Sequence, residues 1–327
     1  MARWIGASGL CVLQILIGFW IFFSYGRWKR KLHFKKIFIF GVFIIFFLHI
    51  FGGLTTPMKR SYEYPVAIWQ TNIPTREKLK IDDEFIKEKQ SIAQEYALAN
   101  QVKLLVAPEG TLYSNFYLSK GFKVNTLAGG LRNSNNELRS SLLGFQIGDK
   151  SFNSFIDKNR LVPIGEKIPG FLDSFSRGLS AVGGIQPGSD SRYFDPKFTP
   201  PLAVAICYEI SDGLEIRKAI NSGAKLIITA ANLDPYPAKL YNQFLSLARL
   251  RSIENKKNNL LVSNTGPSGL IQDDGKIIKL LDYDVERNEI VFPNFSSEKT
   301  FYTKFGDKPI LFLFIFFMGL NIFWKIN

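Results

Sequence analysis

The chain has 327 residues, 46% of them hydrophobic, with a formal net charge of +13 and a mean hydropathy near zero. That length allows one large domain with a sizeable core and segments to spare, while only two cysteines exclude a disulfide-stapled scaffold. Nor does the charge mark a nucleic-acid binder: Arg27, Lys29, Arg30, Lys31, Lys35 and Lys36 crowd one short run between apolar stretches, where basic residues flank a membrane.

In chain order, Trp4 to Gly26 carries no charge over 23 residues, and Ile37 to Met58 carries none if His49 is neutral. Each is long enough to cross a hydrocarbon core of roughly 30 Å at 1.5 Å per residue. The first is too long, and lacks the small-residue cleavage site, for a signal peptide. The basic loop at 27–36 should stay cytoplasmic, which places the N-terminus and the segment after the second span outside. A third apolar run, Pro309 to Trp324, has 16 residues and would span only about 24 Å, so it needs thinning of the bilayer or snorkelling by its flanking lysines; a buried core helix is the alternative. The layout expected is 1–58, two transmembrane helices; 59–307, an extracytoplasmic domain; and 308–327, a C-terminal transmembrane helix.

The middle domain alternates strands and helices. Tyr64–Gln70 is β-rich, Asp82–Asn100 has helical periodicity opened by an Asp cap, and Lys103–Ala107 is a short apolar strand. Leu202–Ile206 is another strand, followed by a helix over 215–222, and then by strands at Ala224–Thr229 and Asn259–Val262. Repeated units of this kind imply an α/β sheet buried on at least one face. Lys256, Lys257, Asn258 and Asn259 read as a polar surface turn.

Cys11 lies in the first apolar run, so Cys207 is expected to be a free thiol. Both histidines, His33 and His49, lie before residue 60, and Ser61 to Asp307 contains none. A Cys-His dyad, a Ser-His-Asp triad and a His-ligated metal are therefore excluded from that domain. Cys207 and Glu109 each follow an apolar strand, and strand ends are where α/β sheets bind ligands. Lys158 has an apolar flank that suggests it packs inward. Singly, each has a plainer reading: a small core thiol, a helix-capping carboxylate, a solvated lysine. Together they supply a nucleophile, a base for its proton, and a cation for an oxyanion, aided by the backbone N–H of Tyr208.

The order Glu109, Lys158, Cys207 and the strings VAPEGTL (106–112), FNSFIDKNRLVPIGEKIPG (152–170), ICYEI (206–210) and QFLSLARLRSIENKKNNLLVSNTGPSGLI (243–271) resemble the nitrilase, or carbon–nitrogen hydrolase, superfamily. Within it the likeness is to the apolipoprotein N-acyltransferases. The resemblance implies a nitrilase-like αββα sandwich flanked by transmembrane helices in a bacterial inner membrane. It also implies a Cys207 acyl-thioester drawn from a phospholipid, Glu109 as general base and acid, and Lys158 on the oxyanion. Glu166, in the LVPIGE string, and Glu209, beside the nucleophile, match supporting acidic positions, and Tyr208 is a third supporting residue. A diacylglyceryl-cysteine apolipoprotein would be the acceptor, and neither a cofactor nor a metal is called for. Two features depart from the family: the segment Asn232–Pro237 replaces a Trp-Phe-Gly loop, and two spans precede the domain where the family has seven, as if the membrane region were shortened. A membrane-tethered amidase and an inactive remnant are the alternatives.

Overall fold

The computed structural model describes residues 1–53, 64–75, 82–163, 165–166 and 184–326. Helix α1 (Ala2–Lys29) and helix α2 (Lys35–Gly53) contain the first two apolar runs. Most of the basic run extends these helices, leaving only residues 30–34 as the connection. The end of the second expected span, 54–58, lies outside the described residues. Helix α1 is broken at Gly6, whose φ of 62° and ψ of −171° are not helical.

Strands β1 (Val66–Gln70), β2 (Leu104–Leu112), β3 (Thr126–Ser134), β4 (Glu137–Phe145) and β5 (Ser154–Asp157) form one sheet, joined at its β1 edge by β12 (Arg287–Val291). The second sheet runs β11 (Ile277–Leu280), β10 (Gly269–Ile271), β9 (Asn259–Ser263), β8 (Leu226–Ala231), β7 (Leu202–Ile206) and β6 (Tyr193–Phe194). The pairs β1–β2, β2–β3, β7–β8 and β8–β9 are parallel and the outer pairs antiparallel. The parallel strands are buried on both faces, which is why they read as unbroken apolar runs.

Alternation then assigns the layers. Val66, Ile68, Leu104 and Val106 point inward against Val204, Ile206, Ile228 and Leu260 of the other sheet. Ala67, Trp69 and Leu105 face outward and are covered by helix α3 (Asp83–Ala99) through Ile86, Ala93 and Ala97. Helices α4 (Gly213–Asn221) and α5 (Ala238–Asn255) cover the far face through Ile216, Ile220, Phe244 and Ala248. The domain is thus a four-layer αββα sandwich, the arrangement that the sequence resemblance implies. Asp82 caps α3 through the Glu84 N–H, at the position the sequence assigned to it.

After the short helix α6 (Phe301–Phe305), helix α7 (Lys308–Ile326) carries the third apolar run. It is 19 residues long, enough for about 28 Å. Leu311 to Phe316 are exposed within the chain. The three apolar helices share an end: Trp4 packs on Phe51 at 5.5 Å and on Phe301 at 5.8 Å, and Gly9 lies against Ile310.

One expectation fails. Lys257, Asn258 and Asn259 are buried, not a surface turn. Helix α5 ends on Lys256 in the left-handed region (φ 51°), which turns the chain inward. The Lys257 ammonium then donates to the carbonyl of Glu298, and the Asn258 side chain accepts from the Asn294 N–H.

Candidate active site

Strand β7 delivers the thiol. Its last residue, Ile206, is followed by a tight 3-10 turn over Cys207–Ser211, and Cys207 itself takes a left-handed backbone (φ 50°). An L residue rarely adopts that conformation, and outliers of this kind collect at functional sites. The thiol is 5% exposed. Both cysteines are free, as expected.

Glu109 arrives from the other sheet. It lies within β2 and not after it, because the strand runs on from Pro108 through Gly110 to Leu112. The β2–β3 register shifts between Ala107 and Leu112, and Gly129 on β3 allows the close approach of the Glu109 backbone. Lys158 follows β5, and its backbone is pinned on both sides: its N–H donates to Ser140 O at 2.8 Å and its carbonyl accepts from Gly188 N at 2.8 Å.

The three elements converge on one buried cluster. The Lys158 ammonium is wholly buried and donates to Glu109 Oε1 at 2.8 Å and to Glu166 Oε1 at 2.7 Å. Glu109 also accepts from Ser140 Oγ at 3.3 Å and, on its second oxygen, from the Asn232 N–H at 3.1 Å. Among the described residues its donors are Lys158, Ser140 and Asn232, and it caps no helix. Glu166 Oε2 accepts from Val162 N at 2.9 Å, which folds the loop after Lys158 back over the amine.

Charge then sets protonation. Burial alone would lower the Lys158 amine, but Glu109, the Cys207 sulfur and Glu166 together hold it above the ordinary lysine range, so it stays a cation. The Cys207 thiol is pushed up, first by burial and then by Glu109; Lys158 and the Asn232 N–H act in the opposite sense. At rest the sulfur therefore keeps its proton, and ionisation requires a partner that takes it.

Glu209 has a different task. Its buried carboxylate accepts from Arg192 Nη1 at 2.8 and 2.9 Å, Ile206 N at 2.8 Å, Asn159 N at 2.7 Å and Arg160 N at 3.2 Å. It thus ties the end of β7 to the loop after Lys158, and holds Cys207 and Lys158 in one frame. Tyr208, the other residue singled out beside the thiol, points outward and is 42% exposed.

Ser140 and Arg192 escape the sequence reading, and Asn232 and Tyr236 enter it only as members of the departing segment 232–237. Tyr236 lies in the Asn232–Pro237 segment, packs partly buried against the layer containing Cys207, and has its phenol pushed up, first by burial and then by the Cys207 sulfur. Asn232 anchors that segment through Thr75 Oγ1 at 2.9 Å and Asn264 at 3.1 Å. The unusual composition of this segment was the only signal.

Comparison with known proteins yields no matching family model. Among relatives, a protein named apolipoprotein N-acyltransferase from Prochlorococcus marinus subsp. pastoris is 65% identical over 324 residues, 99% of this chain and 65% of that protein. One of the same name from another strain of Prochlorococcus marinus is 40% identical over 95% of this chain and 63% of its own length. The chain therefore spans somewhat less than two thirds of these curated relatives. Among solved structures, Saccharomyces cerevisiae Nit3, of branch 10 of the nitrilase superfamily, aligns with a TM-score of 0.53 at 18% identity, covering 73% of this chain and 93% of Nit3. A carbon–nitrogen hydrolase from Helicobacter pylori G27 aligns with a TM-score of 0.52 at 15% identity, covering 72% of this chain and 89% of that one. At such identities the structures speak to the fold alone.

Proposed function

By sequence the chain belongs with the proteins named apolipoprotein N-acyltransferase, and from that premise we propose that it moves a phospholipid acyl chain, through a thioester on Cys207, to the N-terminal amine of a diacylglyceryl-cysteine lipoprotein. The observation that carries the reading is the buried Lys158 held between Glu109 and Glu166, with the Cys207 thiol in the same electrostatic field.

In the first half-reaction Cys207 Sγ attacks the ester carbonyl while its proton passes to Glu109. The oxyanion forms against the Lys158 ammonium and the backbone N–H of Tyr208. Collapse breaks the carbonyl–oxygen bond of the ester, and the departing lysophospholipid oxygen takes the proton back from Glu109. In the second, the acceptor amine attacks the thioester and loses a proton to Glu109. The carbon–sulfur bond then breaks, leaving an amide and a thiolate that recovers the proton. Glu166 and Glu209 keep the amine and the nucleophile turn in register.

The membrane arrangement belongs to the same proposal: helices within 1–58 and 308–327 span the bacterial inner membrane, the basic loop at 27–36 is cytoplasmic, and the domain of 59–307 is outside. The shared end of the three apolar helices beside the domain supports this topology. Labelling of a cysteine introduced at Lys31 by a membrane-impermeant reagent, only after the cells are opened, tests it.

A membrane-tethered amidase would use the same Glu109, Lys158 and Cys207, and the nitrilase fold accommodates that chemistry. The thioester's source and fate decide. Incubation of membranes with acyl-labelled phospholipid and then a diacylated lipopeptide should place label on Cys207 and then on the peptide amine, with Cys207→Ser abolishing both. Release of labelled fatty acid to water with no labelled peptide would favour the hydrolase.

A further inference from the structure

Helix α1 restarts at Ala7 after the break at Gly6. The ring of Tyr302 sits where a Cβ of Gly6 would be, so a glycine with positive φ fits this close approach. The Ala7 N–H, the first donor of the restarted helix, points out of α1 and donates to Glu254 Oε1 at 2.7 Å. Glu254 belongs to α5 and is fully buried, with its other oxygen 2.7 Å from Arg251 Nη1. The Arg251 guanidinium in turn lies against Gly213, the first residue of α4, on the side where a Cβ would project. Only Asp212 separates Gly213 from the turn Cys207–Ser211. A single buried carboxylate thus has an apolar helix on one side and, through Arg251, the nucleophile turn on the other. Arg3, 3.9 Å from Asp273, adds a second tie close by.

A buried ion pair is costly to desolvate and is weak evidence for stability, but it fixes geometry. The N–H end of a helix is also the end that favours a carboxylate. We propose that Glu254 is a positioning residue: by seating the start of α1 it holds the Cys207 turn at a set height and tilt relative to the bilayer from which the acyl donor comes. This rests on the acyl-transfer reading, since only a membrane-borne donor requires such a seat.

Ala7→Pro removes the N–H and sets the proline ring against the Glu254 carboxylate, which breaks the tie at its α1 end. Proline is accommodated at the first position of a helix, and Gly6 in its extended ψ is compatible with a following proline. Ala7→Ser keeps the N–H. The full chain is reconstituted in vesicles of acyl-labelled phosphatidylethanolamine and phosphatidylglycerol, and label on Cys207 is measured. In parallel, acylation by water-soluble p-nitrophenyl acetate is followed as nitrophenol release. We expect Ala7→Pro to slow acylation from the vesicles by about tenfold or more and to leave the soluble ester unaffected, with Ala7→Ser matching wild type on both. Equal rates for Ala7→Pro and Ala7→Ser from vesicles would overturn the proposal. So would an equal loss with both donors, which would mean general damage to the domain. If wild type reacts with the soluble ester but never with vesicle phospholipid, the acyl-transfer reading fails and the inference falls with it.

Discussion

Glu209 offers the strongest test of how the site is held together. Its carboxylate accepts from two backbone groups on the lysine side, Asn159 and Arg160, from one on the nucleophile side, Ile206, and from Arg192. Glu209→Ala leaves the Arg192 guanidinium, itself 3% exposed, buried without its counter-ion. Breaking a buried pair from one side costs about 3–5 kcal/mol, against a total stability of roughly 5–15 kcal/mol. With roughly 2–4 °C per kcal/mol for a domain of this size, the unfolding midpoint should fall by about 6–20 °C. Arg192→Met alone should cost a comparable amount, because it leaves the carboxylate buried. The double variant Arg192→Met/Glu209→Ala should cost less than the two single losses added, because no buried charge is left unpaired, although the backbone N–H groups of Ile206, Asn159 and Arg160 still lose their acceptor. Its acylation of Cys207 should nevertheless stay low, since the backbone donors of the lysine loop have lost their common acceptor. Intrinsic-fluorescence melting of all four proteins in one detergent, beside a phospholipid acylation assay, checks both halves. Additive losses of under about 1 kcal/mol each would refute the reasoning, because a network in contact must couple.

Neutralising Glu109 as Glu109→Gln removes a charge that pushes the thiol up. Iodoacetamide should therefore alkylate Cys207 faster at pH 8, while acyl transfer falls by about 10²–10⁴ for want of the base; slower alkylation would count against the assignment. Lys158→Met has the opposite sign on the thiol, so alkylation should slow, and acylation should fall by roughly 10²–10³ with the loss of the oxyanion's cation. Away from the site, burial lowers the Lys257 amine to about 8. The unfolded chain then binds that proton more tightly than the folded one, so stability is lowest below about pH 8 and rises as pH climbs toward about 10.4, by up to roughly 3 kcal/mol. Lys257→Met should raise the melting midpoint at pH 7 and flatten its rise between pH 8 and 9.5.

The parts legible in the sequence are those governed by local pattern. β7 ends at Ile206 as its apolar run does, and the run around β9 begins at Asn259 as expected. The β3–β4 hairpin was not read, because Leu127–Ser134 and Glu137–Leu143 mix glycine, arginine and serine with leucine and show no clean alternation. Their identity is set by pairing across the sheet, which spacing does not encode. From its apolar run the strand ends at Ala107 and Glu109 follows it, yet the register shift keeps Pro108, Glu109 and Gly110 inside β2. Lys158 could be named but not its second carboxylate partner's geometry, and Arg192 could not be named at all. An arginine 17 residues from its glutamate leaves no local trace.

Why this site manages without histidine follows from its charges. Histidine would serve a thiol by being neutral, basic and able to turn cationic. In the proposed mechanism those roles are divided: Glu109 takes the proton, and Lys158 supplies the cation. The division brings a cost, because a carboxylate beside the sulfur opposes thiolate formation, and burial adds to the opposition. A thiolate formed ahead of attack would add a third negative charge to those of Glu109 and Glu166, with only Lys158 paired to both carboxylates. Proton transfer to Glu109 removes one negative charge as the sulfur gains one, so the count stays constant only if the two events coincide. Attack then moves the negative charge from sulfur to the carbonyl oxygen, where Lys158 can meet it. The arrangement favours an acyl donor seated against the lysine and leaves the thiol quiet toward reagents that cannot reach it. On the proposed reading, that selectivity suits a nucleophile that meets its ester at a bilayer.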